Sequence, residues 1–370
     1  MLGLRPVEAP KKQTISDARE KIEWTGFEFL VREARRDDLE TPWNSHIVRI
    51  ADGTKFRTPN SVELREYFKI PHSKAGPGYY PQGLMVTLIN STTAQPIAAA
   101  IGDYRESERD LMVKLLDRCG EGDIILLDRG LGGPRVYLEC YTRGMYFIHR
   151  ATTSGTTAAL YVQDFLASNQ ASALYTVAAK DSDGEEIHLW IRLIKGPIDS
   201  EGKRIVFVTN LLDEEIYSTA AIRELYRERW TIETAYGRIK NLLCLEKFHA
   251  KNYNGVMQEI FANLLMMSLT AIIEIEASNR LKLDRKTTRP NFKAVLHVVR
   301  RNFAFIAALK SLSKQGALNA AEAMIEEAML ELYKKRPGRS HPRVSKQPIN
   351  VWNLCKKKKL AAYEKSRSLK

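Results

Sequence analysis

The sequence predicts an α/β fold: a mixed sheet flanked by helices, interrupted by a β-rich insertion and followed by a helical, basic C-terminal region. Three observations carry this. Between residues 44 and 150, the runs read as three strands, a helix, a strand, a helix and a strand. Between 151 and 215 the periodicity turns to β. From 216 onward it is helical, led by an amphipathic stretch at Leu225 to Leu243.

Residues 1–43 are polar and irregular, apart from Asp17 to Arg36. That piece reads as a helix with Ser16 as N-cap and Asp17 and Glu20 in the acid-favouring first turn. His46 to Ala51 is a short β-rich run that ends at Asp52-Gly53-Thr54, a turn by default. Arg57 to Gly83 is an irregular stretch rich in Pro, Gly and aromatic residues, among them Lys74, Tyr79 and Tyr80. A loop of that length is often functional. Leu84 to Asn90 and Ile97 to Gly102 are the second and third strands, joined by the turn residues Ser91 to Pro96. Glu106 to Arg118 is helical, with Leu111, Leu115 and Leu116 toward the core. Asp123 to Asp128 is a continuous apolar run closing on an aspartate, the pattern of a buried parallel strand. Pro134 opens a helix to about Thr142, since proline suits the first turn. Tyr146 to His149 is the fifth strand.

Thr152 to Thr157 marks a boundary. Leu174 to Ala179, Ile187 to Ile194 and Ile205 to Thr209 are strands of the insertion, with Asp183-Gly184 and Glu201-Gly202 as hairpin turns. Ser218 or Thr219 caps the next helix. Phe261 to Ile275 is an apolar core helix, and Asn291 to Ser313 and Ala317 to Tyr333 are further helical stretches. From Lys334 the chain is basic, weakly patterned and by composition partly disordered, with a four-lysine run at Lys356 to Lys359.

The hydrophobic share of 44% and charged share of 27% are ordinary for a soluble globular protein, and 370 residues suffice for a full core. No run of about eighteen apolar residues predicts a membrane span, and Met1 to Pro6 has no apolar signal region. Cys119, Cys140, Cys244 and Cys355 are isolated, which fits a reducing cytoplasm and argues against a zinc site. Net charge is +13; residues 281–370 hold 22 Lys and Arg against 6 Asp and Glu, so they carry +16 and the rest −3. That asymmetry points to nucleic acid, against the plainer reading of a solubilising tail.

At about 100° per residue, Leu225, Ile232, Tyr236, Ile239 and Leu243 share a sector roughly 60° wide. Tyr226, Arg229, Glu233 and Lys240 fall in a neighbouring sector, bordered by Gly237, where a missing side chain lets a bulky group approach. By itself this is the mixed-charge face of a surface helix. Two aspartates at strand ends, Asp52 and Asp128, then precede the glutamate, and each alone is a common turn former.

The spacing Tyr226-x2-Arg229-x3-Glu233-x6-Lys240, with Asp52-Gly-Thr and Asp128-Arg-Gly upstream, resembles the signature of DDE-type bacterial insertion-sequence transposases. The likeness runs from about Ile47 to Asn263. It implies a ribonuclease H-like core in two parts, 44–150 and 216–275, split by the 151–215 insertion. The helical region 276–335 and basic tail 336–370 follow. Asp52 and Asp128 would meet on neighbouring strands. Residues 1–43 would be a shortened or truncated counterpart of a DNA-binding domain. The resemblance implies that Asp52, Asp128 and Glu233 are catalytic and hold two Mg²⁺ or Mn²⁺ ions, which suit hard carboxylate oxygens. Tyr226, Arg229 and Lys240 would grip phosphates. Trp190, in the insertion that lies against the DNA end, would be a base-stacking platform, or else a cross-strand or core aromatic. Lys247 and His249 are weaker DNA contacts, and Trp230 lies near the face as contact or packing.

The implied reaction nicks each element end and uses the freed 3′-OH on the second strand or target DNA. The implied partners are DNA and a second copy of the chain on DNA, with no membrane, in the cytoplasm at the nucleoid. Glycine-rich phosphate loops are absent, so no nucleotide cofactor is expected. Two other readings stand beside this one: a metal nuclease on the same core, and a non-catalytic DNA-binding remnant.

Overall fold

A computed structural model of the chain describes residues 12–73, 76–155, 158–285, 287–303 and 313–334. The basic tail, Lys356 to Lys359, Cys355 and Lys74 lie outside the described residues.

The N-terminal segment forms two helices, α1 (Lys12–Glu20) and α2 (Trp24–Glu33), rather than one from Asp17 to Arg36. Ser16 falls inside α1, so it is not an N-cap. Strand β1 (Val48–Arg57) runs straight through Asp52 instead of turning there. The stretch read as irregular contains α3 (Val62–Phe68), capped by Ser61, and a two-residue hairpin, β2 (His72–Ser73) with β3 (Gly76–Pro77). Strands β4 (Gln82–Asn90) and β5 (Pro96–Asp103), helix α4 (Glu108–Leu116), strand β6 (Ile124–Leu127), helix α5 (Pro134–Thr142) and strand β7 (Tyr146–Arg150) then follow in the expected order.

After α6 (Leu160–Ala167) come β8 (Ser172–Lys180), β9 (Glu186–Ile198) and β10 (Arg204–Thr209). These three do not form a separate layer. All eight long strands make one sheet in the order β5-β4-β1-β6-β7-β10-β9-β8. The β5, β4 and β1 neighbours are antiparallel, and β1, β6 and β7 are parallel. That is the ribonuclease H-like arrangement, and the inserted strands lengthen it beyond β7 through the antiparallel pair β7/β10. The unpaired edge of β7 explains the placement, since an open strand edge is completed by the next strand that can reach it.

A helical run follows. It starts as α7 (Thr219–Tyr226), whose N-cap Ser218 accepts from the Ala221 N–H, passes a 3₁₀ turn at Arg227–Arg229, continues as α8 (Trp230–Gly237) and ends in a π turn at Arg238–Leu242. Next come α9 (Tyr253–Arg280), β11 (Thr288–Pro290), α10 (Phe292–Arg301), α11 (Lys314–Ala328) and β12 (Leu332–Lys334). Tyr333 therefore lies in a strand paired with β11, not in a helix.

Pleat alternation divides the core. Ala51, Ile125, Leu127, Val206 and Ile191 join α4, α5 and α6 on one face. Ile50, Leu126, Ile148 and Phe207 join α7, α8 and α9 on the other. Helix α9 is long and apolar enough to cross a membrane, but 67% of its most apolar window is buried inside the fold. It is held at its start by Asn252, whose Oδ1 accepts from the Gly255 N–H at 2.8 Å. Asn252→Ala removes that cap and should lower stability by about 1 kcal/mol, read as a lower urea midpoint with unchanged slope.

Candidate active site

Register decides the first part of the site. In the parallel pair β1/β6, Ala51 lies opposite Leu127. The next residue on each side is an aspartate, so Asp52 and Asp128 leave neighbouring strands side by side. Counting by twos from Ile50 and Leu126 puts both on the face that carries α7 to α9. Strand β1 continues past Asp52 because β4 pairs with it as far as Arg57 opposite Gln82.

Among the described residues, the Asp52 carboxylate accepts a hydrogen bond from the Gly53 N–H at 2.8 Å. Burial pushes its pKa up to about 6; the Gly53 bond and Arg229 oppose the rise, while Asp128 and Glu108 add to it. This is a partly buried acidic pocket in which Arg229 only partly offsets the cost of burial.

The helical run is stitched to the strands below it. Tyr226 is buried, and its hydroxyl donates to the Leu127 carbonyl at 3.1 Å, one residue before Asp128. The Tyr236 hydroxyl donates to the carbonyl of Asp52 itself. Lys240 Nζ donates to the Lys55 carbonyl at 2.9 Å, and burial lowers its pKa. The apolar stripe expected at Leu225, Ile232, Tyr236, Ile239 and Leu243 is buried throughout. The π turn adds a residue to the helical repeat just where Lys240 leaves the run. Gly237 faces open space, as its place beside the polar face predicted.

Arg229 is 6% exposed and sits at the centre of the charged groups. Its Nη2 bonds Glu233 Oε1 at 2.9 Å, its guanidinium lies 5.4 Å from the Trp230 ring centre, and its Nε is buried with no hydrogen-bond partner among the described residues. Burial works against its charge, but Tyr226, Asp128 and Glu233 outweigh that and raise its pKa. Glu233 itself is half-exposed and turned toward Arg229. Among the described residues, no three Asp, Glu, His or Cys side chains are grouped so that they could hold a metal ion. The structure thus brings Asp52 and Asp128 together and leaves Glu233 on its own helix.

Lys240 and Lys247 line a cleft of about 650 Å³ with Arg57, Thr58, Pro59 and Tyr80. Trp190 is 55% exposed on β9, opposite Thr176, so it is not a core aromatic. Trp230 is exposed as well.

Sequence reasoning missed Glu108, the first residue of α4. A Cβ built on Gly53 would lie 2.8 Å from its Cδ, and one on Gly130 would lie 3.5 Å from its Oε2. Gly53 therefore leaves room for the Glu108 carboxylate, and Gly130 lies in ordinary contact range of it. Arg109 fastens that end of α4 by donating from Nε to the Gly130 carbonyl at 2.9 Å. The only hint in the sequence was a helix beginning near residue 106. His149 was also overlooked. It lies beside Leu127 across β6/β7, accepts or donates at Nδ1 to the Tyr137 hydroxyl at 2.6 Å, and burial lowers its pKa to about 4. It is a neutral support beneath the Asp128 turn.

A ribonuclease H-like sheet with two aspartates at the β1/β6 junction and a glutamate on a covering helix defines a class of acidic-site proteins. Within that class, the chain belongs to the transposase DDE domain family, whose model matches residues 43–269. Among similar proteins, the transposase InsG for insertion sequence element IS4 of Escherichia coli (strain K12) is 26% identical over 294 residues, covering 76% of this chain and 64% of that one. The putative transposase InsZ of the same organism is 28% identical over 124 residues, 32% of this chain and 42% of its own. The chain thus spans less than two thirds of the length of either relative. Among solved structures, a piggyBac transposase synaptic complex with hairpin DNA aligns with 84% of this chain and 62% of its own, at 12% identity and a TM-score of 0.42.

Proposed function

We propose that this chain cuts DNA at the ends of an insertion sequence and transfers the cut strands, using Asp52, Asp128 and Glu233 as metal-holding catalytic carboxylates. The observation that carries this is the β1/β6 register, which sets two aspartates side by side under a helix bearing the glutamate. The donor chemistry fits divalent cations: Asp52 is a partly buried carboxylate on which Asp128 and Glu108 act, and all the donors are hard oxygens. Two Mg²⁺ or Mn²⁺ ions held there would supply Lewis-acid stabilisation of an in-line displacement at phosphorus.

The chain's own residues do the rest. Tyr226 and Tyr236 fix the helix at Leu127 and Asp52, and so set the position from which Glu233 approaches the aspartates. Arg229 offers its unpartnered Nε to a phosphate oxygen. Lys240, Lys247 and Arg57 surround a cleft through which a phosphate backbone can pass. Trp190 stacks an unpaired base. Two copies assemble on two DNA ends, in the cytoplasm where bacterial DNA lies.

The test is cleavage of a duplex carrying the flanking element's end, with Mg²⁺, by wild type and Glu233→Gln. The wild type should cut and the variant should bind equally well but cut about a thousandfold more slowly, as when a group acting in the transition state is lost. Equal cutting by both would remove Glu233 from the chemistry.

A further inference from the structure

We infer that Arg229 is an internal counter-ion that holds Glu233 aside from Asp52 and Asp128 until a DNA phosphate takes the guanidinium over. This rests on the DNA-cutting reading above and adds an order of events to it.

Three observations carry it. First, Glu233 is turned to Arg229 through the 2.9 Å bond from Nη2, and among the described residues the acidic side chains do not converge into a metal-holding group. Second, the guanidinium is almost fully buried, yet its Nε has no hydrogen-bond partner among the described residues. A buried donor left unmade is unfavourable, so the guanidinium gains when DNA binding brings it a phosphate oxygen. Third, the cation faces the whole site: Asp52, Asp128, Tyr226 and Glu233 all feel its charge, and the Trp230 ring lies alongside it.

The consequence follows from electrostatics. With Arg229 in place, the carboxylates are partly neutralised by a cation fixed to the chain. A divalent cation entering alone must compete for Glu233 and is repelled by the guanidinium. A phosphodiester reverses both effects. It satisfies the unpartnered Arg229 Nε, draws the guanidinium off Glu233 and adds negative charge beside the aspartates. Full metal loading then awaits DNA.

The test reads metal binding rather than cutting. Free Mn²⁺ is measured by electron paramagnetic resonance with the full chain, alone and with an end duplex. Arg229→Gln alone should bind Mn²⁺ roughly tenfold tighter than wild type alone, a change on the scale of lost neighbouring groups at metal sites. Glu233→Gln should weaken Mn²⁺ binding much more with duplex present, roughly tenfold, than without it. If Arg229→Gln unfolds, the Glu233→Gln pair of titrations decides alone. Equal weakening by Glu233→Gln with and without duplex overturns the inference, as does unchanged affinity in a folded Arg229→Gln. Asp52→Asn separates the two levels. If it weakens Mn²⁺ binding while Arg229→Gln changes nothing, only the counter-ion role fails; if Asp52→Asn also changes nothing, the carboxylate site falls and the inference with it.

Discussion

Asp52→Asn should abolish DNA cleavage and at the same time make the metal-free protein more stable at neutral pH. The cleavage loss is expected at about a thousandfold or more, the scale of a removed catalytic group. The stability gain follows from linkage. The folded carboxyl has a pKa of about 6, against about 3.9 for an unfolded aspartate. The fold therefore binds the proton more tightly than the unfolded chain does. The stability this gives is fully present below about pH 4 and is lost as pH rises from about 4 to about 6. Above that, the ionised carboxylate opposes folding by up to about 3 kcal/mol. Asparagine keeps the shape and carries no charge. In the presence of a chelator, urea unfolding at pH 8 should show the variant about 1–3 kcal/mol more stable, with the difference gone near pH 4. Mg²⁺ should narrow the gap at pH 8 by stabilising only the wild type. A variant no more stable than wild type at pH 8 would mean that Asp52 is not held in the partly buried acidic pocket described here.

Arg49→Met should produce the largest loss of stability. Arg49 is 1% exposed on β1 and joins two buried acids, bonding Asp123 Oδ2 at 3.1 Å and pairing with Glu40. It ties the segment before β1 to the turn before β6. Methionine fills much of the volume but leaves two buried carboxylates without their cation, which costs about 3–5 kcal/mol. Burial already raises the Glu40 pKa, against the pull of Arg49. Without Arg49 that pKa rises further, so protonation relieves part of the deficit as pH falls. The variant's deficit in urea should be larger at pH 8 than at pH 5. A deficit of equal size at both would mean that the lost packing, not the stranded charge, sets the loss.

Much of this molecule was legible in the chain. The apolar run ending at Asp128, the helix opened by Pro134 and the buried stripe of the Leu225 to Leu243 helix all come from local patterns, and those patterns survive in the fold. Asp52 was harder to read. Locally Asp-Gly is a turn, and only pairing with β4 keeps it extended. The helix signature was legible as a set of residues but not as a set of contacts. Tyr236 looked like plain core, yet its hydroxyl anchors the helix to Asp52. Glu108 was invisible because nothing local marks it; it matters through Gly53, far from it in sequence, whose missing side chain makes room for its carboxylate.

The sequence by itself determined the order of strands and helices from Leu84 to His149, the buried stripe of the Leu225 to Leu243 helix and the identity of the acidic and basic residues at strand ends and on that helix. These depend on periodicity and turn chemistry, which act within a few residues. The tertiary structure alone decided that β8, β9 and β10 extend the same sheet and that Ala51 faces Leu127 so that the aspartates meet. Each of those is a choice of partner between distant segments. It is settled by which edge is open and which register buries both apolar faces, and no local pattern encodes either.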